Sequence, residues 1–199
     1  MVNGIGRSAL MLLVIGLFFI TDLLMAWRFD RLRTADGSSQ NWGYMLFALI
    51  LGGVLLVQPV IWPWLGIAST ALWGLALQVL GLGLALAALA INAWSRAHLG
   101  VWYAQRGEIQ PGHQLITTGP YATVRHPIFS SYFLLTLGLA LVNPSVLMLV
   151  VLGYTLGEFT RNAHRDEQLL LAHFPAYHMY MQQTGRFWPR SGRRQRDPS

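Results

Sequence analysis

Arg125, His126 and Pro127 close a polar stretch, His113–Pro127 (HQLITTGPYATVRHP), set between long apolar runs. A guanidinium and an imidazole meet there, just where the next apolar segment begins. Proline suits the first position of a helix, because its missing N–H would be unpaired anyway. The amides that follow, on Ile128, Phe129 and Ser130, have no acceptor one turn back. Such a helix start attracts an anion, a carboxylate or a phosphate. Gly119-Pro120-Tyr121 just upstream is turn chemistry. The plainer reading of the same residues is an interfacial cap with a snorkelling arginine.

A second polar group, Glu158, Arg161, Asn162, His164, Arg165, Asp166 and Glu167, follows an apolar run. At helical spacing, positions 158, 161 and 165 share one face, and 162 and 166 another. Either this is a solvated extension of a membrane helix, or its charges fold back over the polar stretch to close a pocket. The six histidines include no HExxH pair, so no metal site is expected. Without cysteine, thiolate nucleophiles and Cys-ligated metals are excluded, and without lysine so is Schiff-base chemistry.

The elements that must position these groups are membrane helices. The chain has 199 residues, 54% hydrophobic and only 11% charged, against roughly 25% charged in soluble domains. Five apolar segments approach the length of a span: 8–27, 42–60, 64–97, 127–142 and 145–160. Asn143-Pro144 alone joins the last two, which predicts a tight helical hairpin. The third is long enough that it should tilt, kink near Gly81 and Gly83, or project beyond the bilayer. Its Gly74, Gly81, Ala85 and Ala88 allow close helix contact, and Gln78 and Asn92 are expected to hydrogen-bond between helices. The expected fold is an all-α integral membrane protein of one domain. Residues 1–100 carry the first three spans and 101–199 the catalytic part. With five spans, every arginine but Arg7 falls on one face, which puts the amino terminus outside and the polar connector and tail in the cytoplasm. The net charge of +6 is therefore an orientation signal rather than a nucleic-acid footprint, and the expected location is a bacterial inner membrane.

Read in order, HQLITTGPYATVRHPIFSSYF, Asn143-Pro144, DEQLLLAHFPAYHMY and Arg186-Phe187-Trp188-Pro189 resemble the isoprenylcysteine carboxyl methyltransferase family, related to phospholipid N-methyltransferases. The resemblance runs from residue 113 to 189. It implies S-adenosylmethionine bound at the cytoplasmic face, in a pocket made by the connector between the third and fourth spans and by the carboxy-terminal region. Cofactor contacts would fall on Gln105, on His113, Gln114, Leu115 and Ile116, on Tyr121, and on His126, Pro127, Ile128 and Phe129. Phe129 and Ser131 stand where the family has tyrosine and glycine. Asn162 and Asp166 stand where it has a substrate-contacting arginine and a glutamate, which leaves Arg161 or Arg165 to hold the acceptor.

Methyl transfer from a sulfonium depends mostly on positioning donor and acceptor in line. A carboxylate acceptor would need an arginine to hold it, whereas an amine or thiol would need a base, Glu167 or Asp166. Glu167 is the expected key acidic residue and Arg161 the expected acceptor-binding one, with Asn162 and Arg165 beside them. The acceptor is expected to be a lipophilic small molecule or lipid entering between helices. Other readings are an N-methyltransferase of phospholipid type, an NADPH-dependent sterol-type reductase and a non-catalytic membrane subunit.

Overall fold

The computed structural model describes residues 4–30, 46, 49–54, 61, 71–102, 112 and 114–190. Among these residues every regular element is a helix, and one isolated β-bridge joins Val124 and Gly185. Helix α1 is Gly4–Asp30, α2 is Ala71–Leu99, α3 is Pro127–Val142, α4 is Val146–His173 and α5 is Tyr177–Gln183. Short 3₁₀ turns follow α2 at Gly100–Trp102 and precede α3 at Gly119–Ala122. Residues 49–54 are also helical and place Leu51 in the core.

Helix α3 is the centre of the bundle. Twelve of its sixteen residues are buried, on every side of the helix, which is why its composition is almost uniformly apolar. Against it lies the small-residue face of α2, where Gly81, Ala85, Ala88, Asn92 and Ser95 recur at three- and four-residue steps and are all buried. The approach is closest at two glycines. A Cβ on Gly138 would sit 2.5 Å from the Gly81 carbonyl oxygen, and one on Gly81 would collide with the Gly138 carbonyl. Asn92 donates to Ser131 Oγ across this contact at 3.1 Å, the interhelical bond expected of it. Arg96, one turn on and buried, donates to Asn92 Oδ1 (3.1 Å) and to the Tyr132 hydroxyl (3.2 Å). From the other side, Met11, Val14, Ile15 and Phe18 of α1 enter the same core, and the Phe18 ring lies 5.2 Å from that of Tyr132.

Ser145 caps α4, its hydroxyl accepting from the Met148 amide, so Asn143-Pro144 does make a tight hairpin. The fourth expected span matches α3, but α4 runs thirteen residues past the fifth. One stripe explains this: Met148, Val151, Thr155, Phe159, Ala163 and Glu167 are all buried at helical spacing, so the packed face continues beyond the apolar residues. α1 and α2 are each long and apolar enough to cross a membrane. α3, at sixteen residues, rises ~24 Å, short of a ~30 Å hydrocarbon core. Of the second expected span only residues 46 and 49–54 are described, and of the third not 64–70. The described part of the third, α2, stays helical through Gly81 and Gly83.

Candidate active site

The polar connector and the segment after α5 meet at the amino-terminal end of α3. Thr118, with Gly119 at φ +60°, opens the turn; His98, at the end of α2, lies 2.8 Å from the Thr118 hydroxyl. A side chain at Gly119 would run into that imidazole, so the position needs glycine both for its left-handed backbone and for space. Tyr180 of α5 donates to the Tyr121 carbonyl at 2.6 Å. Burial pushes its phenol up to about 12, so it stays a donor at any physiological pH.

Residues 184–188 then form a strap along the connector. Gly185 pairs with Val124; the amides of Arg125 and His126 donate to the carbonyls of Gly185 (2.8 Å) and Arg186 (3.0 Å). Ser130 Oγ donates to the Phe187 carbonyl at 2.7 Å, and the Phe187 ring meets Phe133 edge-on at 4.9 Å.

At the crossing point sits Glu167, buried on α4. Arg125 Nε donates to its Oε1 at 2.9 Å, Arg186 Nε to the same oxygen at 3.1 Å and Arg186 NH2 to Oε2 at 2.5 Å. His126 Nε2 lies 3.3 Å from Oε1. Arg125 also donates to the carbonyls of Met181 and Thr184. Burial by itself raises the Glu167 pKa, but hydrogen bonds from His126, Arg186 and Arg125 outweigh it and hold the carboxyl at about 2. Glu167 is thus a fixed anion, poorly suited to accept a proton. Burial, against the pull of Glu167, lowers His126 below its ordinary value, so the ring is neutral at pH 7. Asp166 beside it is half-buried, and burial together with the Glu167 charge raises it to about 7.

Aromatic rings fill the space next to this cage. His126 stacks on Phe129 at 5.4 Å and 9°, and Phe187 lies 6.0 Å from His126. Phe159 stacks on Tyr132 at 4.6 Å and contacts Phe129 at 5.3 Å. No side chain caps the start of α3, but of the three amides expected to lack an acceptor that of Ser130 donates to the His126 carbonyl at 3.0 Å, because His126 already closes the first helical turn.

Of the residues singled out from the sequence, Tyr121, His126, Pro127, Ile128, Phe129 and Glu167 converge here and all but Phe129, which is half-buried, are buried. Leu115 and Ile116 are half-buried and Gln114 is exposed on the approach to the turn, whereas Gln105 and His113 lie outside the described residues. Asn162 is half-buried beside Glu158 (Nδ2 to Oε1, 3.4 Å). Arg161 is exposed and bound to Glu158 Oε2 at 2.6 Å, and Arg165 is exposed. Sequence reasoning did not pair Arg125 and Arg186 with Glu167. The available signals were their places, one beside His126 and the other heading the Arg-Phe-Trp-Pro run.

Residues 79–173 match the model of the isoprenylcysteine carboxyl methyltransferase (ICMT) family. A 78-residue stretch is 32% identical to the nickel-cobalt-cadmium resistance protein NccN of Alcaligenes xylosoxydans xylosoxydans. That stretch is 39% of this chain and 37% of the relative, so the chain spans little more than a third of the curated protein it matches. The matched segment, just under half of the chain, holds most of α2, the Gly119–Ala122 turn, all of α3 and all of α4 with Glu167, so it is in the part that carries the candidate site that the chain is similar to the isoprenylcysteine carboxyl methyltransferase family.

Proposed function

We propose that the protein transfers a methyl group from S-adenosylmethionine to a lipophilic acceptor at the cytoplasmic face of a bacterial inner membrane. The observation that carries this reading is the convergence of connector, α4 and strap on Glu167, which puts aromatic rings beside an open helix start. Those groups fit the charge pattern of the donor. A sulfonium and an adenine both favour aromatic faces, here His126, Phe129 and Phe187. A carboxylate favours free amides at a helix start, here those of Ile128 and Phe129. Gln105, His113, Gln114, Leu115, Ile116 and Tyr121 would complete the cofactor contacts.

Bound there, S-adenosylmethionine supplies a methyl group already activated by positive sulfur. The chain's own task is then placement. Glu167, saturated by two arginines, holds His126 and the strap in register rather than moving protons. Asp166, poised near neutrality, is the group suited to take a proton from an amine or thiol. A carboxylate acceptor would need no base and would call on Arg161 or Arg165, with Asn162 alongside. Incubating membranes containing the protein with methyl-labelled donor tests the reading. Label should enter the lipid extract, and no label in any fraction would overturn it.

The likeness to NccN favours one second reading, a membrane component of metal resistance that transfers no methyl group. It predicts an unlabelled extract and a metal-sensitive phenotype on deletion.

A further inference from the structure

α2 ends in a charge that its packing does not need. Arg96 lies in the last turn of the apolar span Trp73–Leu99 and is 2% exposed. Withdrawing a guanidinium from water is costly, and an apolar side chain of similar volume would fill the interior at least as well. An ionisable group kept inside such a span points to function.

The bonds of Arg96 lead to the start of α3. Arg96 Nε donates to Asn92 Oδ1 at 3.1 Å, Asn92 Nδ2 to Ser131 Oγ at 3.1 Å, and Ser131 Oγ to the Ile128 carbonyl at 2.6 Å. Every bond in this chain runs the same way, from the cation to one carbonyl, and all three side chains are buried. Bonds aligned head to tail in a low dielectric polarise one another. The Ile128 carbonyl belongs to the same peptide unit as the Phe129 N–H. Through amide resonance, electron density drawn to that oxygen leaves the N–H a stronger donor. The backbone ladder of α3 begins with the Ser130 amide on the His126 carbonyl, so the Phe129 amide lies ahead of it, unpaired among the described residues. A second bond, from Arg96 NH2 to the Tyr132 hydroxyl at 3.2 Å, holds the guanidinium in place.

We propose that Arg96 is a positioning residue for the methyl donor: acting through Asn92 and Ser131, it orients and strengthens the Phe129 amide that receives the donor's carboxylate. The role of that carboxylate rests on the methyltransferase reading; the polarised chain does not.

The chain can be read without cofactor. Ile128-Phe129 is the one Ile-Phe step in the sequence. Carbonyl-labelled isoleucine with nitrogen-labelled phenylalanine therefore gives a single selected amide resonance, that of Phe129, in the full-length protein in lipid nanodiscs. Ser131→Ala and Arg96→Met should each shift its nitrogen frequency. Thr136→Val, which removes a like bond to the Tyr132 carbonyl one turn further on, should not. An unmoved resonance in either of the first two variants, or an equal shift in the third, overturns the proposal. Ser131→Ala removes a single oxygen, so the comparison stands even where Arg96→Met does not fold.

Calorimetry in the same nanodiscs compares S-adenosylhomocysteine with methylthioadenosine, which keeps the nucleoside and sulfur but lacks the amino-acid carboxylate. Each of the two variants should weaken S-adenosylhomocysteine about threefold and leave methylthioadenosine unchanged. Combining Arg96→Met with Ser131→Ala should lose no more than either alone, because both break one chain. Equal losses for the two ligands would make Arg96 merely structural and overturn its positioning role. A wild-type protein that binds neither ligand counts against the methyltransferase reading alone, because the resonance arm needs no ligand.

Discussion

At the residue scale one carboxylate, Glu167, gathers the groups of the site. Glu167 shares its buried oxygens between two arginines, and removing one partner of such a cluster leaves uncompensated charge. Glu167→Gln should therefore cost about 3–5 kcal/mol, read as a large fall in Tm. Glu158→Gln, which breaks an exposed pair with Arg161, should cost about 0–1 kcal/mol. The titrations of neighbouring groups oppose each other. Glu167, held below its ordinary value, adds stability above about pH 4.5 that is lost as pH falls towards 2. His126, also lowered, destabilises the fold as pH drops below 6.5, because the unfolded ring takes a proton that the buried one resists. Asp166, raised to about 7, acts the other way: its contribution is present below pH 3.8 and lost as pH rises through 7. Asp166→Asn should thus move the pH of maximum thermal stability upward. If Asp166 is the base, the same variant should lose the limb of the rate profile that rises through about pH 7; an unchanged limb assigns the proton elsewhere. Residue types were legible in the sequence, and Glu167 and His126 stood out as candidates. Their arginine partners did not, because Arg125 is 42 positions and Arg186 is 19 positions from Glu167, and no local periodicity encodes such a meeting.

At the element scale the spacing of small residues was the reliable signal. Gly81, Ala85 and Ala88 mark the face of α2 that receives α3, and the structure uses them for backbone contact. Gly138→Ala should push the helices apart and cost about 1–3 kcal/mol, whereas Gly83→Ala, with open space around it, should leave Tm unchanged or slightly higher. Equal effects at the two sites would mean that α2 and α3 are not in the contact described. The bounds of α3 followed from Pro127 and from Asn143-Pro144, residues that start and stop helices for local reasons. The end of α4 did not. Its second half pairs a polar face with the buried stripe ending in Ala163 and Glu167, so an apolarity criterion stops at the first charge while the helix goes on.

At the scale of the whole molecule, composition identified a membrane protein at once, and the family match agrees with it. Span number and orientation were inferred from apolar length and arginine count, signals that report on the bilayer rather than on packing. α3, buried on all sides, shows why the two differ: an apolar run can be core instead of lipid-facing surface. The site joins pieces from 121 to 187, and only the three-dimensional closure of the strap over the connector brings them together. That closure is what the functional reading depends on, and direct binding of the demethylated donor tests it without knowledge of the acceptor. Titration calorimetry of the full-length protein in lipid nanodiscs should give micromolar affinity for S-adenosylhomocysteine. In His126→Ala, which removes the ring stacked on Phe129, affinity should fall roughly tenfold, or about 1.4 kcal/mol. Absence of heat with the wild-type protein, or equal affinity in the variant, would contradict the account.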